Sequence, residues 1–163
     1  MASVLAAVLD DLRAILDGSS SESPIASGRY QAVEYDPGGL MLMSSGRPYP
    51  FEVEVGSRSQ PTDYPSDVSG DYAYFGRDLT IRVAYAGEPH EGQDQQNDIV
   101  TDDDEICLAL EDPASWSASG FVAASPIGSE IVPVEIPGSE EGATEFLQIL
   151  EIQLVVVYRE SRP

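Results

Sequence analysis

The sequence predicts an α+β domain, a mostly antiparallel or mixed β-sheet packed by an N-terminal helix and a second helix, with long loops. Three observations point there. The chain opens on an apolar face at helical spacing, its middle alternates with a period of two, and its end is apolar on both faces. The 163 residues suit a single domain, 1–163, long enough for a real core but too short to divide in two. At 42% hydrophobic the composition is that of a folded chain.

The elements follow in order. In Ser3 to Asp17, residues Val4, Leu5, Val8, Leu9, Leu12, Ile15 and Leu16 keep the i, i+3, i+4 spacing of one buried helical face. Ser3 can cap this helix and Gly18 can end it. Ser19 to Ser23 and Pro24 form a polar linker. Arg29 to Tyr35 is a short strand, stopped by the turn signal Asp36-Pro37-Gly38-Gly39, and Leu40 to Met43 resumes in extended form as far as Gly46. Pro48 to Val55 alternates, with Phe51, Val53 and Val55 opposite Glu52 and Glu54. Gly56 to Gly70 reads as a long polar loop.

Tyr72 to Tyr85 is the strongest strand, with Leu79, Ile81, Val83 and Tyr85 on one face. Ala86 to Asn97 reads as a second polar loop. Asp102 to Glu111 reads as the second helix, capped by Thr101 or Asp102, started by acids and stopped by Pro113. Ala114 to Thr144 is rich in Gly, Ser and Pro, with a short strand at Glu130 to Ile136. Phe146 to Tyr158 is apolar on both faces, which places it inside the sheet and under helices on at least one side.

Charge dominates the composition. There are 29 acidic residues against 8 basic, a formal net charge of −21, and all eight basic residues are arginine. A chain this acidic repels itself across a Debye length of roughly 8–10 Å, which shrinks to about 3 Å at 1 M salt. The expectation is a protein adapted to a salt-rich cytoplasm. Whole-chain binding to nucleic acid or to an anionic membrane is disfavoured, since both need basic patches. No run approaches the ~18–20 apolar residues of a membrane span. The N-terminus, with Asp10, Asp11 and only Arg13, does not read as a secretory signal.

The inventory excludes much chemistry. Without lysine there is no P-loop, no Schiff base and no Ser-x-x-Lys acylation site. One histidine, His90, and one cysteine, Cys107, cannot build a zinc site, and Cys107 lies on an apolar helical face as a buried thiol would. The run Asp102-Asp103-Asp104-Glu105 could hold a hard cation but lacks EF-hand spacing, and its ordinary reading is a helix cap on a solvated face. Neither a cofactor nor catalysis is expected. Instead, tyrosine and arginine, the residue types of protein interfaces, gather around the long loop, and Arg58, Tyr64, Phe75, Arg77 and Arg82 are the interface candidates.

In order, these segments resemble the tail terminator, or tail-completion, proteins of long-tailed bacteriophages and related viruses. The resemblance runs from about Ser3 to Arg159. It rests on the first helix with its Ser-rich linker, on Arg47-Pro48-Tyr49-Pro50-Phe51-Glu52-Val53-Glu54-Val55 and on Arg77-Asp78-Leu79-Thr80-Ile81-Arg82-Val83-Ala84-Tyr85. Leu110-Glu111-Asp112-Pro113 with Trp116, and the ending Val155-Val156-Val157-Tyr158-Arg159, complete it. It implies a homohexameric ring at the head-proximal end of the virion tail, partnered by the tail tube protein and by a neck or connector protein. A head-completion or neck protein of the same particle is the alternative, and a small carboxylate-dependent hydrolase is the reading from another class.

Overall fold

The computed structural model describes residues 3–35, 48–61, 70–86, 92–137 and 144–161. Helix α1 spans Val4–Asp17 and helix α2 Gly92–Glu111. The strands are β1 (Tyr30–Ala32), β2 (Tyr49–Ser59), β3 (Tyr72–Ala86), β4 (Phe121–Pro137) and β5 (Thr144–Ser161). They form one five-stranded sheet in the order β1-β2-β3-β5-β4, with β1 parallel to β2 and every other pair antiparallel. The fold is α+β, as the sequence predicts.

One face of the sheet carries both helices. Leu79, Ile81 and Val83 of β3 stand opposite Leu154, Ile152 and Leu150 of β5 in register. All six are at most 1% exposed, so the β3–β5 pair forms the floor of the core. Val8, Leu12, Ile15 and Leu16 of α1 and Ile99, Ile106 and Leu110 of α2 close over it. Burying each such side chain contributes roughly 1.5–3 kcal/mol. The other face carries Glu52, Arg82 and Glu151 side by side, flanked by Ala84, Leu147 and Ile149.

Local chemistry sets the limits of α1. The Ala6 N–H donates to the Ser3 hydroxyl at 3.1 Å, capping the first turn. Gly18 takes φ +76°, and a Cβ there would lie 2.6 Å from the Ser27 nitrogen. Only glycine ends the helix this tightly.

Several expected boundaries shift. β1 covers Tyr30–Ala32 and not the whole of Arg29 to Tyr35. β2 continues through Ser59, so the first residues of the expected Gly56 to Gly70 loop are strand, with a register shift between Val55 and Arg58. α2 begins at Gly92, ten residues before the expected start at Asp102, and takes in much of the expected Ala86 to Asn97 loop. Asp102 is therefore mid-helix and caps nothing. β4 is 17 residues long where Glu130 to Ile136 was expected. Its prolines fit because β4 is an edge strand with shifts between Phe121 and Ala123 and between Pro126 and Gly128. The Asp36-Pro37-Gly38-Gly39 turn and the Leu40 to Met43 segment lie outside the described residues.

Candidate assembly interface

The arginines divide into two sets according to what each one meets. Arg29 enters the core. Its Nε donates to Asp102 Oδ1 at 3.0 Å, its Nη2 reaches the same oxygen, and the Tyr85 hydroxyl donates to Oδ2 at 2.8 Å. Asp102 is fully buried. The guanidinium also lies 5.8 Å from the Tyr30 ring centre and 6.0 Å from that of Tyr49. Burial works against the Arg29 charge, but its bonds to Tyr30 and Asp102 outweigh burial and raise its pKa. Burial, reinforced by Tyr30 and Asp102, pushes the Tyr85 phenol well above its usual value. The cluster joins the segment before β1, the end of β3 and the middle of α2. It is a staple in the core.

Arg82, an interface candidate, is taken up within its own subunit on the helix-free face. Its Nη2 lies 2.7 Å from Glu54, its Nε 3.1 Å from Glu151 and its Nη1 3.5 Å from Glu52. The hydrogen bond from Arg82 is the main reason the Glu54 carboxyl is lowered. Arg13 pairs with Asp10 along α1.

Arg58, Arg77 and Arg159 form the second set, and none of them has a carboxylate partner among the described residues. All three sit at one end of the sheet. There β3 and β5 run on together past the ends of β2 and β4 as Tyr72–Tyr74 against Arg159–Ser161, with Phe75 and Tyr158 at the base. This two-stranded ribbon is rich in aromatic residues. Arg58 lies 4.9 Å from the Phe75 ring centre and Arg159 4.3 Å from that of Tyr72, and Phe75 contacts Tyr158 at 5.7 Å. Arg58 and Arg77 are directly opposite each other across β2 and β3. Arg77 Nη1 donates to the Gly56 carbonyl at 3.1 Å, whereas its Nε is buried without an acceptor. Such a donor costs about 1–3 kcal/mol until something accepts from it.

The structure thus brings together Arg58, Phe75 and Arg77, places Arg82 apart from them on the opposite face, and leaves Tyr64 outside the described residues. Arg159 and Tyr72 lie at the same end of the sheet but, by the alternation of β5 and β3, on the face that carries Arg82. The signal that could have found Arg159 is the run Val155-Val156-Val157-Tyr158-Arg159, where one cation follows a buried strand.

His90 lies outside the described residues, and the remaining groups with chemical potential are placed as follows. Burial, with Asp103 beside it, pushes the Cys107 thiol up to about 12, so it is not a ready nucleophile. Asp102 turns inward while Asp104 and Glu105 are exposed, so the acidic run does not converge on one point. A groove of about 290 Å³ lies between α2 and β4, lined by Ile99, Val100, Ile131 and Leu150 with Asp103 and Glu130 at its sides. No helix among the described residues is long and apolar enough to cross a membrane.

No protein-family model matches the chain, and no curated protein matches it.

Proposed function

We propose that the chain is a structural subunit that works by assembling with copies of itself. On its resemblance to tail terminators, it is the ring that ends the tail tube of a tailed virus and joins the tail to the neck. The observation that supports the assembly reading is the arginine–aromatic ribbon at the end of β3 and β5. In a chain of 29 carboxylates, Arg58 and Arg159 are held beside a half-buried and an exposed aromatic ring, Phe75 and Tyr72, and neither pairs with a carboxylate among the described residues. Arginine and tyrosine anchor protein interfaces because they combine a large contact area with directed donors. The place in the particle rests on the order of the sequence segments.

The test is to image the purified full-length chain at ~1 M salt, alone and with assembled tail tubes. Closed rings that cap tubes are the expected result. A chain that stays monomeric, or rings that bind a neck assembly but never a tube, would remove the terminator reading.

A further inference from the structure

The Arg58–Arg77 pair is an unusual arrangement. Like charges directly opposite across two strands repel, and a chain this rich in carboxylates could have placed an acid at either position. Among the described residues neither arginine has a carboxylate partner, and their guanidiniums lead apart, that of Arg58 over the Phe75 ring and that of Arg77 to the Gly56 carbonyl. Arg58, exposed and lying over an aromatic ring, is the member of the pair open to a carboxylate supplied from elsewhere.

We infer that Arg58 receives Asp104 from α2 of a second copy of the chain. The inference deepens the ring reading above and rests on it. Two further observations select that occupant. First, α2 turns an exposed stripe outward in which Asp104 sits between two apolar residues, Val100 at 52% and Leu108 at 68% exposure. These three residues are spaced i, i+4, i+8 and so share one line along the helix. The stripe is complementary in kind to Arg58 over Phe75, acid and aliphatic against cation and aromatic. The groove of about 290 Å³ beside Val100 gives the apolar part of the contact a recess.

Second, the two surfaces lie at opposite margins of the sheet. β1 pairs only with Tyr49–Phe51, so the Arg58 end of β2 is a free margin among the described residues. α2 packs over β4 and β5, and β4 is the opposite edge strand. A contact from the β2 margin of one copy to the α2 margin of the next joins different patches, and such a contact repeats head to tail. Repetition of that kind is what a ring requires.

The experiment uses the full chain at ~1 M salt and follows assembly by sedimentation across a concentration series, with circular dichroism to establish folding. Both Arg58 and Asp104 are exposed, so Arg58→Glu and Asp104→Arg should fold. Each alone should raise the concentration for half-assembly about tenfold or more, because each sets like charges against each other at the contact. The double variant restores the opposite pairing and should assemble to within a few-fold of the unaltered chain. Labelling of carboxylates with a carbodiimide and a small amine gives a readout free of mutation, in which Asp104 is protected in assembled chains and labelled in dispersed ones.

Rings that tolerate either reversal, or an Asp104 labelled equally in both states, would overturn this docking while leaving the ring reading in place. An unaltered chain that never assembles overturns both. Inorganic phosphate that binds at Arg58 while Arg58→Glu leaves assembly unchanged would assign Arg58 to a free anion and also overturn the inference.

Discussion

Asp102 concentrates much of the fold's electrostatic risk in one residue. It is fully buried, and it is bonded by Arg29 and Tyr85. Asp102→Ala would leave the Arg29 guanidinium facing the core without its counter-ion, and we expect a loss of about 3–5 kcal/mol in urea unfolding. The staple also has a pH signature. Burial is the main cause holding the Tyr30 and Tyr85 phenols protonated in the fold, whereas unfolded tyrosine ionises near 10.0. Below that pH both states keep the proton and the contribution is complete. Above it the unfolded state loses protons first, so stability falls as pH rises. Cys107, whose thiol moves from 9.0 to about 12, adds to the decline in the same window, so the comparison with Tyr85→Phe isolates the part due to the staple. Urea melts from pH 8 to 11 should show the decline, and Tyr85→Phe should lessen its slope. An unchanged slope in Tyr85→Phe would contradict the assignment to the staple. Asp102 was not legible as a buried residue because it sits in an acidic run. Its one sequence signal is position, since Ile99, Asp102, Ile106 and Leu110 share a helical stripe.

At the scale of elements, the strands that carry the core were legible and the polar ends of elements were not. β3 and β5 announce themselves because apolar residues alternate along one and fill both faces of the other, and they are neighbours in register from Tyr72↔Ser161 to Ala86↔Leu147. Ile152→Ala, at a fully buried position opposite Ile81, should cost about 2–5 kcal/mol. Its measure is the shift of the urea midpoint, and a negligible shift would mean that the β3–β5 floor is misplaced. The first two turns of α2 contain Gln93, Asp94, Gln95, Gln96 and Asn97, which show no apolar period, so they read as loop. They are helical as the outward end of a helix whose later turns are packed. β4 was hidden by Pro126, Gly128 and Pro133, residues that an edge strand with bulges tolerates. Asp11 shows how distant elements are fastened. Its carboxylate, on α1, accepts from the Ser117 N–H at 2.8 Å, the Ser117 hydroxyl at 3.0 Å and the Ala118 N–H at 2.9 Å. Asp11→Ala would strand two backbone donors, and we expect a loss of about 2 kcal/mol or more in the same assay.

For the whole molecule, the decisive quantity is the balance between screened and unscreened charge. The internal ion pair, Arg29 with Asp102, is shielded from salt by the core around it. The exposed carboxylates are not shielded, and with a net charge of −21 their mutual repulsion opposes the compact chain and opposes bringing copies together even more. Salt at ~1 M shortens the screening length to about 3 Å, which removes most of that repulsion while leaving the buried pair and the core intact. Folding and assembly should therefore both strengthen from dilute buffer to ~1 M salt, with assembly responding more steeply because it joins two like-charged bodies. Thermal melts and sedimentation across a salt series measure the two responses. A paired comparison separates screening from solvent effects: guanidinium chloride is itself a salt, so its first additions to a low-salt sample should stabilise the fold before they denature it, whereas urea should destabilise from the first addition. Melting temperatures that stay flat from dilute to concentrated salt, together with parallel responses to the two denaturants, would show that the surface charge does not limit this fold. The expectation of salt adaptation would then fall, while the sheet and the arginine–aromatic ribbon would still stand.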